Sequence, residues 1–384
     1  MRVVLTRREG LDSRDGVAIF IVSLAQALVE LNHDVKIVVG SLRSRAEYLR
    51  LLSPRLDLSV HALSNTPPTG FKSILAWLRG KRAIDSFRPD LVLHSEAMPI
   101  PMRGTIIQVV HDLQPRTGRL APLWRSIRRF SFKRCHHVVA TTTELRDELV
   151  RDLGMPPSKL SVIPKCIDRQ AYQGLNLSRR ERAILHAGTL PYKDPAASIR
   201  AFGVIDDPSV RLYITGDITA SVQEAVRVLP GRLQHCVTLV GEADGATVRG
   251  LHNRVRIAAF PTLYAVPVAS ATVMEAIAAG TPIVGSSRLS RDVLVDGENG
   301  LVVDTNPVTM AAACKAVLDD DALWLRLSAG ADRMVRKFDA FRVAEQYLNL
   351  ARGRKRNRMT AADRRFETDC ELTNEHNRHL DHAL

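Results

Sequence analysis

The sequence predicts an α/β protein of two domains, each a doubly wound parallel sheet covered by helices. Short apolar runs alternate with amphipathic helical patterns, which is typical of βα units. The alternation restarts after the polar stretch 178–182, which indicates a second unit. The 384 residues suffice for about two or three domains, and 45% hydrophobic with 25% charged residues is typical of globular proteins. Disordered, fibrous and multi-span membrane classes are thereby excluded.

The first domain is predicted over residues 1–175. A polar loop containing Gly10 and Gly16 follows its first strand, and Phe20, Leu24 and Leu28 then recur at helical spacing. Each further apolar run in this half follows a helix or a turn. The predicted strands are 2–6, 35–39, 56–60, 91–93, 106–110, 137–140 and 161–163.

The second domain is predicted over residues 176–337. Its predicted strands are 183–186, 211–214, 237–240, 257–260, 282–284 and 301–303, and its last helices are 309–318 and 322–337. An apolar helix within 338–352 is expected to pack back on the first domain. The remaining residues, 353–384, begin with a basic cluster and carry few large apolar side chains, which predicts a disordered basic and polar tail.

Charge and cysteine content limit the expected partners and compartment. Lys and Arg number 54 against 41 Asp and Glu, so the net charge of +13 favours phosphate-bearing partners. A nucleic-acid binder is not expected, because no zinc-finger spacing or RNP aromatic signature occurs. The five cysteines form no CxxC pair, and no apolar run suits a secretory signal or a spanning helix. We therefore expect a cytoplasmic protein.

Two features of the first domain are candidates for binding or catalysis. The loop that ends at Gly16 joins the first strand to the first helix, where backbone N–H groups of a doubly wound sheet meet a ligand. His111 follows a buried strand directly, with Asp112 behind it. An imidazole at the carboxyl end of such a strand can orient a hydroxyl group or donate to a developing charge.

Two further candidates lie in the second domain. The turn with Gly188 and Thr189 ends a strand and leads to Lys193, whose ammonium group can neutralise a diphosphate. Downstream, a strand and a loop precede a short helix that contains Glu275. Its first N–H groups can hold phosphate, and the carboxylate can accept both hydroxyls of a ribose. The predicted binding residues there are Ser270, Ala271, Thr272 and Val273.

Residues 275–284 followed by 296–303 resemble the donor-binding half of retaining glycosyltransferases of family 4, which have the GT-B fold. The similarity covers roughly residues 1–350. Further matching pieces follow in the same order: 16–39, 89–92, the strand end at His111 and Asp112, 160–164 before Asp168, 188–193 and the last helix.

The resemblance implies two Rossmann-like domains that face a cleft, with the acceptor on the first and the donor on the second. It implies a retaining hexosyltransferase that moves a sugar from a nucleoside diphosphate sugar to a glycan or lipid-linked acceptor, in cell-envelope or exopolysaccharide biosynthesis. Neither a metal nor another cofactor is expected. By resemblance, Glu275 holds the ribose, Lys193 the diphosphate and His111 the transferred sugar, while the loop at Gly16 lies at the reaction centre.

Three positions depart from the family pattern. The position eight residues before Glu275, where the family carries a second glutamate, is Pro267. Thr189 stands in place of an arginine of the diphosphate turn, and Lys165-Cys166 replaces the common Asn-Gly. Two alternatives to an active transferase stay open: an inactive GT-B scaffold that binds nucleotide, and a GT-B sugar-nucleotide epimerase that needs no acceptor.

Residues 124–134 combine bulky apolar side chains, such as Trp124 and Phe130, with basic ones, such as Arg128 and Lys133. This composition is compatible with peripheral binding to an anionic membrane surface. It is equally compatible with a solvated helix that packs one apolar face on the core.

Overall fold

We describe the protein from a computed structural model that covers residues 1–7, 11, 15–39, 56–60, 71–95, 102–113, 121–172, 180–263 and 270–358. Within these residues the strands form two parallel sheets, one of seven strands and one of six. Each strand falls on one of the predicted apolar runs. The prediction of two doubly wound α/β domains is thereby confirmed.

The N-terminal sheet has the strand order β3-β2-β1-β4-β5-β6-β7, and every pairing is parallel. The order reverses between β1 and β4, and ligands of open α/β sheets bind at such a switch point. Its strands are β1 (Arg2–Arg7), β2 (Asp34–Val39), β3 (Leu56–Val60), β4 (Leu91–His94), β5 (Thr105–Val110), β6 (His137–Ala140) and β7 (Leu160–Val162). Its helices are α1 (Gly16–Glu30), α2 (Phe71–Ser86), α3 (Ala121–Arg134) and α4 (Thr143–Leu153).

The C-terminal sheet has the order β10-β9-β8-β11-β12-β13, with its switch point between β8 and β11. Its strands are β8 (Glu181–Ala187), β9 (Arg211–Thr215), β10 (Val237–Gly241), β11 (Val255–Phe260), β12 (Ile283–Ser286) and β13 (Gly300–Val303). Its helices are α5 (Pro195–Ile205), α6 (Ala220–Arg227), α7 (Gly231–Gln234), α8 (Gly245–Arg254), α9 (Ala271–Ala278), α10 (Pro307–Asp319) and α11 (Asp321–Val335).

The last helix, α12 (Ala340–Arg358), packs on α1 of the N-terminal domain. Val343, Ala344 and Tyr347 share one apolar cluster with Phe20 of α1, and the two aromatic rings lie 6.4 Å apart. The helix continues through 353–358, beyond the predicted start of the tail at residue 353. Arginine and lysine are good helix formers, which is compatible with this extension. The rest of the predicted tail, 359–384, lies outside the described residues.

The two domains also contact each other through a reciprocal pair of caps. Asp292 of the C-terminal domain accepts hydrogen bonds from the backbone nitrogen (2.6 Å) and the hydroxyl (3.2 Å) of Thr143, at the start of α4. In return, Glu144 accepts from the Ser290 hydroxyl (2.7 Å) and the Arg291 backbone nitrogen (3.0 Å). The Asp292 carboxylate thus caps the first turn of α4, and the Glu144 carboxylate caps the turn that begins at Ser290.

Candidate active site

The N-termini of α1 and α9 meet between the two domains. A Cβ atom placed on Gly16, the first residue of α1, would lie 3.1 Å from the Cβ of Ala271 and 3.5 Å from its backbone nitrogen. Ala271 is the first residue of α9. Each helix follows a strand next to a switch point, β1 or β11, so the topology brings them together. Two positive helix ends therefore converge on one point.

Asp15 and Arg7 fix the N-terminus of α1. The Asp15 carboxylate accepts hydrogen bonds from the backbone nitrogens of Val17 (2.8 Å) and Ala18 (3.0 Å), which makes it the N-cap. Arg7, at the end of β1 and buried, forms an ion pair with the same carboxylate. Neither residue was predicted to belong to the site, although an aspartate directly before a helical pattern is a known N-cap signal.

His111 lies at the carboxyl end of β5 and is only 6% exposed. Neither of its ring nitrogens has a hydrogen-bond partner within the protein as described. The Phe20 ring packs edge-on against it, with centroids 5.3 Å apart. Burial lowers the pKa of His111 well below its usual value, and the positive charges of Lys165 and Arg7 lower it further. The side chain is therefore a neutral imidazole with one donor and one acceptor available to a ligand.

The Gly188 turn holds Lys193 at the end of β8. Gly188 has a φ of +90°, and a Cβ atom there would lie 2.5 Å from the Lys193 Nζ. Beneath the turn, the His186 Nε2 donates to the Gly188 carbonyl (3.0 Å) while its Nδ1 accepts from the Ser198 hydroxyl (2.8 Å). Burial lowers the pKa of His186 to about 3, so this arrangement of a neutral ring persists at physiological pH.

Lys193 reaches from this turn to α9. Its Nζ donates to the Ala187 carbonyl (3.0 Å) and to the Thr272 hydroxyl (3.3 Å). Burial lowers the pKa of Lys193 to about 8, an effect that the charge of Glu275 opposes. Thr189, the next residue after Gly188, lies beside Gly216 and brings no charge to the turn.

The first turn of α9 offers backbone N–H groups to a ligand. Ser270 is the N-cap but its side chain caps no backbone nitrogen; its hydroxyl lies 3.0 Å from that of Thr272 instead. The N–H groups of Ala271, Thr272 and Val273 have no partner within the helix, as in any first turn. The Val273 side chain is fully buried in the C-terminal core, so only its backbone can bind.

Glu275 lies one turn further along α9 and is 7% exposed. The Tyr172 hydroxyl donates to its Oε1 over 3.5 Å. Burial raises the pKa of Glu275 to about 7, while Lys193, Arg249 and Tyr172 favour the charged form. Burial is the largest of these effects, so the carboxyl group titrates near neutral pH.

Two family models match the chain, one on each domain. "Glycosyltransferase Family 4" matches residues 14–171, and "Glycosyl transferases group 1" matches residues 181–320. The first model covers the N-terminal domain from α1 to the residues after β7, and the second covers the C-terminal domain from β8 to α10. Both sides of the cleft therefore lie within the matched residues. The chain belongs to glycosyltransferase family 4.

Known proteins of similar sequence are glycosyltransferases. The O-antigen chain mannosyltransferase RfbU of Salmonella typhimurium is 22% identical over 280 residues, which are 69% of this chain and 76% of RfbU. A D-inositol 3-phosphate glycosyltransferase of Nocardioides is 28% identical over 243 residues, 56% of this chain and 53% of that protein. The chain thus aligns with about half the length of the second relative.

Solved glycosyltransferases share the fold. HepE of Anabaena, solved in complex with UDP, superposes with a TM-score of 0.71 at 14% identity, over 91% of this chain and 99% of HepE. At this identity the likeness establishes the GT-B fold. The family assignment and the glycosyltransferase class follow from the two family models.

In this family 4 chain, the structure gathers the predicted residues into two groups that face each other. Lys193, Thr272 and Glu275 lie together on the C-terminal domain, whereas Gly16 and His111 lie on the N-terminal domain. The contact of Gly16 with Ala271 joins the two groups. The Pro267 position and most of the loop before Gly16 lie outside the described residues.

Three residues of the site were missed as site residues: Tyr172, which contacts Glu275, and Arg7 and Lys165, which lie near His111. For Lys165 a signal was present, because a lysine there replaces the asparagine of the family pattern. The position of Tyr172 depends on how the chain crosses between domains, and the pairing of Arg7 depends on the fold of the loop after β1, neither of which a local pattern indicates.

Helix α3 presents basic side chains and one exposed aromatic ring. Arg125, Arg129, Lys133 and Arg134 are exposed, Phe130 is 51% exposed, and the Arg134 guanidinium lies 5.0 Å from the Phe130 ring centroid. Among the residues described, no helix is both long and apolar enough to span a membrane.

Proposed function

We propose that this family 4 glycosyltransferase transfers a sugar from a nucleoside diphosphate sugar to a hydroxyl group of a glycan or lipid-linked acceptor, with retention of anomeric configuration. The observation that carries the proposal is the meeting of two helix N-termini beside Lys193, Glu275 and His111. Helix N-termini and lysines favour phosphate. A carboxylate one turn further suits the ribose, and a neutral imidazole suits a sugar hydroxyl.

The proposed reaction follows from these placements. The diphosphate lies at the first turn of α9, where backbone N–H groups and Lys193 stabilise the charge that develops as the bond from the anomeric carbon to the leaving phosphate oxygen breaks. The acceptor oxygen forms its bond to the anomeric carbon on the same face. Its proton passes to the departing phosphate oxygen, so that no protein base is needed. His111 orients the transferred sugar through one of its free ring nitrogens.

In this proposal protein groups rather than a metal ion offset the donor charge, so we expect no metal requirement. Lys193 and two helix ends supply part of the positive potential. Activity measured after treatment with EDTA should equal that of the untreated enzyme. Loss of activity on chelation, restored by a divalent cation, would contradict this part of the proposal.

We further propose that the acceptor belongs to the bacterial cell envelope. RfbU acts on O-antigen chains, as its name states, and the exposed basic face of α3 suits the anionic surface on which lipid-linked acceptors reside. Under this proposal the acceptor binds beside the N-terminal domain, and the enzyme works on the cytoplasmic face of a membrane.

The test has two stages. A thermal-shift panel of UDP, GDP and ADP identifies the donor base, because a ligand that binds only the native state raises Tm. The labelled sugar donor of that base is then incubated with lipid extracts, and the anomeric configuration of the product is read by NMR. Transfer with retention supports the proposal. Diphosphate binding without any transfer indicates the inactive scaffold, and acceptor-independent conversion of the donor indicates the epimerase.

A further inference from the structure

Lys165 is a buried cation that the proposed roles leave unused. It follows β7 in the segment that crosses towards the C-terminal domain, and it is 4% exposed. Among the residues that the structure describes, none forms a hydrogen bond or ion pair with its ammonium group. Asp112 and Asp15 act on it only as charges at longer range.

The Lys165 side chain points to the place where the two helices meet. A Cβ atom on Gly16 would lie 3.7 Å from the Lys165 Nζ and 3.1 Å from the Cβ of Ala271, the first residue of α9. The ammonium group thus lies at the N-terminus of α1 and close to that of α9. His111 is close enough for the charge of Lys165 to lower its pKa.

The nearby carboxylate of Asp15 does not neutralise this cation by contact. It caps α1 through two backbone nitrogens and forms its ion pair with Arg7. A buried charge without a partner is costly, and burial accordingly lowers the pKa of Lys165 to about 8. Such a group lowers the stability of the free protein, which indicates a ligand that supplies the missing negative charge.

On the C-terminal domain, the Gly188 turn offers a diphosphate only one side-chain cation, Lys193. Thr189 brings no charge to the Gly188 turn, and the Nζ of Lys193 already donates to Ala187 and Thr272. A diphosphate carries more than one negative charge, so Lys193 alone leaves part of it unbalanced.

We propose that Lys165 binds the donor diphosphate from the N-terminal domain and supplies the second cation that the turn at Thr189 lacks. The inference rests on the proposed donor class. It makes the diphosphate a bridge between the domains, with Lys193 on one side and Lys165 on the other. Binding of the donor would then hold the cleft closed.

The test compares ligands with and without the diphosphate, by calorimetric titration of wild type and Lys165→Met. UDP, GDP and ADP are the probes, each against its nucleoside. We expect Lys165→Met to weaken binding of the preferred diphosphate by about 10- to 100-fold, the loss typical of one charged hydrogen bond, and to leave nucleoside binding nearly unchanged. Lys165→Arg should retain most of the affinity. Lys36→Met, which removes a lysine paired with Asp57 at the sheet edge, is the control and should bind as wild type.

A second readout separates a binding role from a structural one. Because the lysine is buried and no described residue pairs with it, Lys165→Met should raise the Tm of the free protein at pH 7. Arg180→Met should lower it, since that buried guanidinium donates to the His252 and Val255 carbonyls and the Thr281 hydroxyl. A fall in Tm for Lys165→Met would show that the lysine stabilises the fold and would overturn the inference.

Two further binding results would overturn it. Unchanged diphosphate affinity in Lys165→Met would exclude the contact. If Lys165→Met binds the diphosphate as wild type does but binds the complete sugar nucleotide more weakly, the lysine contacts the sugar and not the diphosphate. If Glu275→Ala still weakens binding in either case, the proposed function stands without Lys165. If no diphosphate binds the wild type, the proposed function and the inference about Lys165 are both wrong.

Discussion

Burial shifts the pKa values of three charged side chains in the cleft towards neutral pH. The site therefore carries its full set of charges only within a limited pH range. The pKa of Glu275 is raised to about 7, and those of Lys193 and Lys165 are lowered to about 8. Their charged neighbours are Arg249 beside Glu275, Asp15 and Asp112 near Lys165, and Arg7, which pairs with Asp15. All three groups are charged together only between these values.

We therefore expect nucleoside diphosphate affinity to be highest between about pH 7 and 8. Below this range Glu275 gains a proton and accepts ribose hydroxyls less well; above it the lysines lose their charge. Titration calorimetry from pH 5.5 to 9.5 measures the profile. Glu275→Gln should remove the acidic limb while keeping the alkaline one. A profile identical to wild type would contradict the role of Glu275.

The free energy of unfolding should rise as the buried lysines lose their charge, whereas ligand affinity should fall. The folded pKa of Lys165, about 8, lies below its unfolded value, 10.5, so the unfolded chain binds more protons between them. The cost is full below pH 8 and disappears as the pH rises towards 10.5. Free energies of unfolding from urea titrations at pH 7 and 10 should therefore differ more in wild type than in Lys165→Met. Lys193 has the same effect in both proteins and cancels in the comparison.

Gly188 shows how one backbone conformation fixes a functional side chain. Its φ of +90° disfavours any side chain, and a Cβ atom would press on the Lys193 ammonium. Gly188→Ala should destabilise the protein by about 1 to 3 kcal/mol and weaken diphosphate binding. Gly231→Ala, at a helix start with open space around it, is the control and should change neither. Denaturant unfolding and calorimetry measure both effects.

The strands and helices were predictable from the sequence. The contacts between elements that are distant in the sequence were not. Every strand coincides with a predicted apolar run because buried parallel strands are continuous hydrophobic segments. His111, Lys193 and Glu275 were predictable because strand ends and helix starts are marked by local sequence. The contact of Gly16 with Ala271, the Tyr172 hydrogen bond to Glu275 and the burial of Lys165 arise from packing between distant segments, which no local pattern encodes.

Helix α3 is the element that we expect to contact the membrane. Replacing Arg125, Arg129 and Lys133 with glutamate should reduce co-sedimentation with phosphatidylglycerol vesicles, since each cation near an anionic surface contributes about 1 kcal/mol. Phosphatidylcholine vesicles and the exposed Arg227→Glu are the controls. Binding that is unaffected by the triple change, or equal on both lipids, would show that α3 is an ordinary solvated helix.

At the scale of the whole molecule, the reciprocal caps tie the two domains together. Asp292 caps α4 and Glu144 caps the turn at Ser290, so domain opening breaks both sets of hydrogen bonds. Asp292→Ala should remove about 1 kcal/mol from the closed arrangement, enlarge the radius of gyration in small-angle scattering and raise KM more than it lowers kcat. Asp217→Ala, in an exposed loop, should leave scattering and kinetics unchanged.

In the proposed function, the cleft between the domains binds a nucleoside diphosphate through α9. The most direct test of this binding is the Kd of the preferred diphosphate for wild type, Glu275→Ala and the exposed control Glu345→Ala, measured by calorimetry on the full chain. We expect one diphosphate to bind wild type and Glu345→Ala equally, and Glu275→Ala at least about tenfold more weakly. Equal affinity for all three proteins, or binding of no diphosphate to the wild type, would contradict the account.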